Sequence, residues 1–411
     1  MAGLLFFFLL PFNLHFFPYF IGLFLITWFI QRGLAAKLLS LIKNKRAMGL
    51  MIFYLLFALS MIYSENVSKS LTDLEKKLSF LVMPLLFATA NKYLKKNYHY
   101  LLLAFLLGTT LNVFISSGNF LMEIFLNSGS YEAFLKTPFW YAYRHLAIFN
   151  HSSYFALFIG LSIGILIYFF NTKPFKFSEK KRTKLFICLW IILLSVICIM
   201  NSSRGGIMAL FVFFIFSFFF LIKNIYLKFV TILIITGLSI YGLSTERFEN
   251  YTEVATELLA GNKFTQQELL QKDADRLVLW QNSIEVIKAN FWLGTGNGDI
   301  KIELKKQYKK NRVYEDLKKV LNPHNQFLSI FVGLGVIGFG YFLFLLANPF
   351  IKGLKEKNYL LLAFLVLIVV HFFVESMLNR LSGIAFFSAF YSLLYIMPGD
   401  KTDTGNNKLV E

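Results

Sequence analysis

Arg204, Arg276 and His324 are the residues of this chain whose types and settings could do chemistry together. Arg204 stands between Ser203 and Gly205-Gly206, where one apolar run ends and the next begins. A guanidinium there can hold phosphate oxygens in a planar, bidentate fork, and the glycines would let backbone approach a ligand closely. An arginine that only anchors a span at the interface has the same setting. Arg276 opens an amphipathic stretch within a long polar segment, where an ordinary exposed arginine would also be at home. His324 follows Pro323 and precedes Asn325 at the start of another apolar run. Near neutral pH an imidazole can take a proton from a hydroxyl, although a histidine so placed also serves as a cap or an interfacial residue.

Further groups could join this set. Glu375 ends an apolar run, and acids near membrane depth are functional candidates by default; pairing with Arg380 is the plainer role. Arg144, His145 and His151 are secondary candidates of the same kind. His371, one helical turn before Glu375, reads as structural. Asp273 and Asp275 form an Asp-x-Asp pair, a pattern that holds a divalent cation in many sugar transferases. No third hard oxygen ligand lies close by, and carboxylates also favour helix N-termini, so no metal site is assigned. Gly294-Thr295-Gly296-Asn297-Gly298 could cradle an anion with backbone amides. It lacks the preceding strand of a dinucleotide fingerprint, and a helix stop with a tight turn is the preferred reading.

The elements that must position these residues are membrane helices. Of 411 residues, 57% are hydrophobic, 50 are Phe and only 16% are charged, well below the quarter or so of a soluble chain. Many runs approach the ~20 apolar residues that span a bilayer, and the period-two alternation of a β-barrel is absent. The expected fold is all-α: a polytopic membrane bundle of eleven to twelve spans with a large, partly helical external loop. The net charge of +18 invites a nucleic-acid partner, but the basic residues sit in short loops between apolar runs, which is how positive-inside orientation is written; no nucleic acid is expected. The two cysteines, Cys188 and Cys198, share one apolar run, so neither a disulfide framework nor a zinc site is expected. The apolar start has no basic n-region and no small-residue cleavage site, and is read as a retained helix.

In order, 1–30 is uncharged and fits one long span or two tight helices. Basic clusters place 31–46, 171–184 and 348–357 in the cytoplasm. Spans are expected at about 47–64, 74–91, 98–124, 149–170, 184–200, 206–222, 226–243, 324–347, 358–374 and 382–397. The division is then an N-terminal bundle at 1–243, an external loop at 244–322, C-terminal spans at 323–398 and a cytoplasmic tail at 399–411. The loop carries thirteen Lys and Arg against twelve Asp and Glu; long loops translocate largely regardless of charge. Within it, 276–292 reads as an amphipathic helix with Leu277, Trp280, Ile284, Ile287 and Phe291 on one face, and 300–320 as a second, basic helix.

Ser203-Arg204-Gly205 at a helix end, Arg276 followed by Trp280, the Gly294-Thr295-Gly296 turn, and His324-Asn325 before Gly333-Leu334-Gly335 together resemble the O-antigen ligase and polymerase superfamily. The resemblance covers about residues 140–400. It implies a multi-pass protein of the bacterial inner membrane that needs neither metal nor cofactor. It implies inverting glycosyl transfer from a polyprenyl (undecaprenyl) diphosphate-linked glycan to an acceptor hydroxyl on lipid A-core or on a growing glycan. Arg204 and Arg276 would bind the diphosphate and His324 would activate the acceptor. Ser203, Gly205, Asn325, Gly294, Gly296, Glu375, Arg144 and His145 are expected to contact substrate. A surface-polysaccharide polymerase has the same motifs. Two other classes stay open: a flippase of lipid-linked sugars, which would need charged or broken helices at mid-membrane, and a non-catalytic assembly factor.

Overall fold

The computed structural model describes all residues except 13–16, 32, 91, 129–145, 176–179, 202, 244–253, 255, 258–263, 272–273, 318–321 and 398–411. The described chain is helical throughout. It opens with α1 (Ala2–Leu9), α2 (Phe17–Ile30), α3 (Leu34–Lys43), α4 (Lys45–Ser60), α5 (Val67–Lys77), α6 (Ser79–Ala88), α7 (Lys92–Lys96) and α8 (Tyr98–Ser128). Then come α9 (Ser152–Thr172), α10 (Lys181–Met200), α11 (Arg204–Phe216) and α12 (Ile225–Leu243). The loop segment carries α13 (Gln266–Gln271), α14 (Asp275–Ala289), α15 (Ile300–Lys310) and α16 (Tyr314–Leu317). The chain returns through α17 (Gln326–Glu356), α18 (Tyr359–Val374) and α19 (Leu381–Tyr391).

Five helical stretches among the described residues are long and apolar enough to cross a membrane: Lys45–Tyr63, Tyr98–Leu126, Ser152–Thr172, Lys181–Met200 and Gln326–Glu356. Shorter apolar helices lie at Ala2–Phe12, Gly205–Leu221, Ile225–Ile240, Tyr359–Val374 and Leu381–Ile396. The protein is thus a multi-pass membrane bundle, in which backbone polar groups are satisfied within each helix. The uncharged start forms two helices, α1 and α2. The span expected at 74–91 differs: its first residues belong to α5, a polar helix ending at Lys77, and only α6 is apolar.

α9 sits at the centre and is almost wholly buried. Small residues let its neighbours close in. A Cβ on Gly160 would sit 3.0 Å from Leu367, and one on Gly164 would sit 3.6 Å from the Cβ of Ala363, both on α18. Phenylalanines fill the rest of the core, as where Phe105 meets Phe390 at 4.8 Å between ring centroids and Phe158 meets Phe386 at 5.2 Å.

The loop segment has a core of its own. Val278, Leu279, Val286 and Ile287 of α14 pack with Leu304 and Tyr308 of α15, Val313, Leu317 and Val332. The face buried on α14 is not the one the apolar pattern marks: Ile284 is exposed, whereas Asn282 and Ser283 are buried. The two polar side chains are tolerated because the Asn282 amide donates to Val278 O (2.8 Å) and Gln266 Oε1 (3.0 Å), and Ser283 Oγ donates to Leu279 O (2.7 Å). The second helix, expected to run to 320, stops at Lys310; Arg312 adopts a left-handed φ of 58° and α16 follows.

This small core includes Val332 and packs against Leu328 and Phe331, so the first turns of α17 belong to it. A break then separates them from the membrane part of α17. Gly335 has φ 62° and ψ −166°, a region open essentially to glycine alone. A Cβ there would lie 2.3 Å from Trp292 O, and one on Gly294 would lie 2.5 Å from Gly335 N. Three hydrogen bonds close the contact: Thr295 N to Val332 O (2.8 Å), Gly296 N to Gly333 O (3.1 Å) and Val336 N to Phe291 O (2.8 Å). Gly335→Ala is expected to destabilise the protein by at least about 1–3 kcal/mol, the usual size of such backbone strain. Thermal unfolding of the purified protein checks this, and an unchanged midpoint would show that the break is dispensable.

Candidate active site

The site lies where α17 begins, α18 ends, and α9 and α11 begin, with α14 tied to the turn before α17 through Trp280. Glu375 follows the last residue of α18 in an extended conformation (φ −153°) and is buried. Its Oε2 lies 3.1 Å from His324 Nδ1, and its Oε1 accepts from Ser376 N at 3.1 Å. A carboxylate on Nδ1 selects the tautomer with the proton on that nitrogen, leaving the Nε2 lone pair to face outward. Burial pushes the Glu375 carboxyl up, but the hydrogen bond and charge of His324, the charge of His151 and the Ser376 amide together bring it below the ordinary carboxylate value. Glu375 is therefore an anion at neutral pH.

His324 is held in an unusual backbone position. Its φ is +45°, which is uncommon for a residue with a side chain. Its amide donates to Asn322 Oδ1 at 2.6 Å, and the preceding carbonyl, Pro323 O, accepts from Trp280 Nε1 at 3.1 Å. Trp280 thus ties the loop helix α14 to the turn that carries the histidine. Asn325 caps α17 by accepting from Leu328 N (3.1 Å), while its own amide donates to Ser376 Oγ (3.2 Å). Leu378 N donates to Gln326 Oε1 at 2.6 Å, and Asn379 donates to Ser329 Oγ at 3.1 Å. The start of α17 and the turn after α18 are stitched together residue by residue, so the His324–Glu375 pair is preorganised.

α11 reaches the same place. Ser203 caps it, its Oγ accepting from Gly206 N at 3.3 Å and lying 3.5 Å from Ser153 Oγ on α9. The glycines after Arg204 serve helix packing: a Cβ on Gly205 would fall 2.4 Å from Val374 Cγ2, and one on Gly206 would fall 2.3 Å from Ala156 Cβ. The space beside Gly205 that a ligand might take is filled by Val374. That contact sets the start of α11, where Arg204 lies, against the residue preceding Glu375.

His151 marks the convergence. It caps α9, with Nδ1 accepting from Ser153 N at 3.4 Å. Burial pushes its pKa down; Glu375 opposes this, while the charges of Arg380, His324 and Arg276 push it down further, and the net shift is downward. Arg276, in the first turn of α14, thus lies within electrostatic reach of His151, as His324 and Glu375 do. His151 stood only at the margin of the sequence-based set, yet it has the same setting as His324, a histidine just before an apolar run.

The amides of Gly294, Thr295 and Gly296 donate to Asn290 O, Val332 O and Gly333 O, so the glycine turn fastens the loop to α17 and has none of these amides to offer an anion. Arg144, His145 and Asp273 lie outside the described residues, and Asp275 is exposed at the start of α14. His371 is buried within α18, with Nδ1 2.9 Å from Leu367 O, in keeping with a structural role.

Two comparisons with known proteins bear on this geometry. Residues 187–343 match the family model described as O-antigen ligase. The matched stretch runs from α10 into α17 and so contains Arg204, Arg276, Trp280, the glycine turn and His324, but not Glu375. No curated protein sequence matches the chain.

Proposed function

We propose that the chain, whose residues 187–343 match the O-antigen ligase family model, is an O-antigen ligase-type glycosyltransferase. It moves a glycan from a polyprenyl diphosphate carrier to an acceptor hydroxyl on lipid A-core, at the periplasmic face of a bacterial inner membrane. The observation that carries this reading is the 3.1 Å contact between His324 Nδ1 and Glu375 Oε2 beside the start of α11.

In the proposed step the acceptor oxygen attacks the anomeric carbon of the glycan. Its proton passes to His324 Nε2, and Glu375 stabilises the imidazolium that forms. The bond from the anomeric carbon to the diphosphate oxygen breaks, and its electron pair leaves on the diphosphate. Arg204 and Arg276 receive that growing negative charge in place of a metal ion. Attack opposite the leaving group inverts the anomeric centre.

The surface glycan of a deletion strain tests the assignment. Loss of all polymer-capped lipopolysaccharide, with full-length polymer retained on the carrier, is expected. Single repeat units in place of polymer would instead make the chain a polymerase. Arg204→Lys is expected to lose about 10²–10³ in transfer rate, the usual share of one transition-state donor, because a point charge cannot supply the planar fork. Near-full activity of the lysine variant in a purified transfer assay would remove Arg204 from the mechanism.

Sidedness follows from the basic clusters. A cysteine introduced near residue 263 is expected to react with an impermeant maleimide added to the periplasmic side, and one near residue 180 is not. The reverse pattern would put the loop in the cytoplasm.

A further inference from the structure

Between α14 and the glycine turn, Phe291, Trp292 and Leu293 project from the loop segment, and their exposures are 44%, 70% and 54%. Three large apolar side chains in a row on an extramembrane segment call for a covering medium. The segment is also pinned to two membrane helices. Phe291 O accepts from Val336 N on the membrane side of the α17 break (2.8 Å), and Leu293 O accepts from the hydroxyl of Tyr63 (2.6 Å) at the end of the span that begins with α4.

The flanks of those two helices say what covers it. Leu55, Leu59 and Ile62 recur along one face of the α4 span at 52%, 57% and 79% exposure, and α17 shows Ile337 at 55% and Phe344 at 52%. These residues lie in apolar stretches able to cross a bilayer, where such faces meet acyl chains. The two helices are neighbours: Tyr341 on α17 donates to Gly49 O on α4 at 2.8 Å. The Phe291–Leu293 turn therefore continues a lipid-facing surface at its loop end. The residues on either side of the turn, Asn290, Gly294 and Thr295, meet polar surroundings. A cavity of about 240 Å³ is lined by Tyr63, Glu65, Asn290, Asp299 and Glu303 among others, and Lys288, one helical turn upstream of Trp292, is exposed. Exposed apolar side chains next in sequence to a carboxylate-lined cavity and a lysine, with a tryptophan among them, match the bilayer–water boundary, where tryptophan concentrates.

We infer that Phe291-Trp292-Leu293 inserts into the phospholipid leaflet on the loop side of the bundle and anchors the loop segment to the membrane surface. The loop core is then held at two points, the Gly335 break and the lipid. The inference uses the membrane fold alone and stands or falls separately from the glycosyl-transfer reading.

The test is tryptophan fluorescence of the full-length protein in phospholipid nanodiscs. Subtracting the spectrum of Trp292→Phe from that of the wild type isolates Trp292, because the other tryptophans cancel. The difference emission is expected to be blue-shifted from that of indole in water. It is expected to lose most of its intensity when the phospholipid is brominated near the top of its acyl chains, and little to aqueous iodide. Strong iodide quenching without bromine quenching would place the turn in water and overturn the inference. A blue-shifted emission that neither agent quenches would mean that protein covers the turn, a second copy or another chain, and would overturn it equally.

Discussion

His324→Ala is expected to reduce turnover by about 10²–10⁴, the share a positioned general base contributes, while leaving binding of the diphosphate-linked donor intact. The variant removes the group that takes the acceptor's proton but none of the proposed diphosphate contacts. The backbone is the concern, since His324 holds φ +45°. Alanine tolerates that region less well than histidine, so His324→Asn, which tolerates it better, is the matching control. Both variants are expected to bind donor and to fail in transfer. If either retains wild-type turnover in purified form, the imidazole is not the base. If donor binding is lost in both, His324 acts on the donor and not on the acceptor.

Most of the fold was legible because membrane helices declare themselves by uninterrupted apolar length. Expected ends and observed ends agree closely at 358–374 against Tyr359–Val374, and at 226–243 against Ile225–Leu243. Two things were not legible. The α5–α6 segment hides a polar helix next to a short apolar one, and a window long enough to detect a span averages across Lys77 and Leu78. The buried face of α14 includes Asn282 and Ser283, whose burial depends on local hydrogen bonds that no count of apolar residues records.

The candidate site divides the same way. Residue type, with position at a span end for Arg204, His324 and Glu375 and at the start of a loop helix for Arg276, marked these four as candidates. What each neighbour does was not legible. Gly205 and the 294–296 turn invite a ligand-binding reading because glycine permits close approach, but the approaching groups are Val374 and the backbone of α17. A sequence shows that a glycine is needed and leaves open what comes close. The carboxylate on His324 was likewise open: Arg380 sits five residues after Glu375 and offered the nearer ion pair, whereas the structure turns the acid toward an imidazole 51 residues away in sequence.

Glu375→Gln is expected to reduce turnover by about 10²–10⁴, with the upper end set by what losing the orienting carboxylate does in a serine-protease triad. The reason is the tautomer. The carboxylate only accepts, so the proton rests on His324 Nδ1 and Nε2 is free to act as base. A glutamine amide can donate to Nδ1 instead, which would move the proton to Nε2 and turn the lone pair away from the acceptor. The side chain keeps its size, so donor binding and fold are expected to survive. Acid stability supplies a second readout. The folded pKa of Glu375 lies below its ordinary value, so the anion's contribution to stability is fully present above the unfolded pKa, about 4.3, and is lost as pH falls through the folded value. The glutamine variant lacks that titration and is expected to show a smaller loss of stability across this acid range. Turnover close to wild type in Glu375→Gln, with the wild-type acid profile unchanged, would mean that the carboxylate neither orients the histidine nor stabilises its cation.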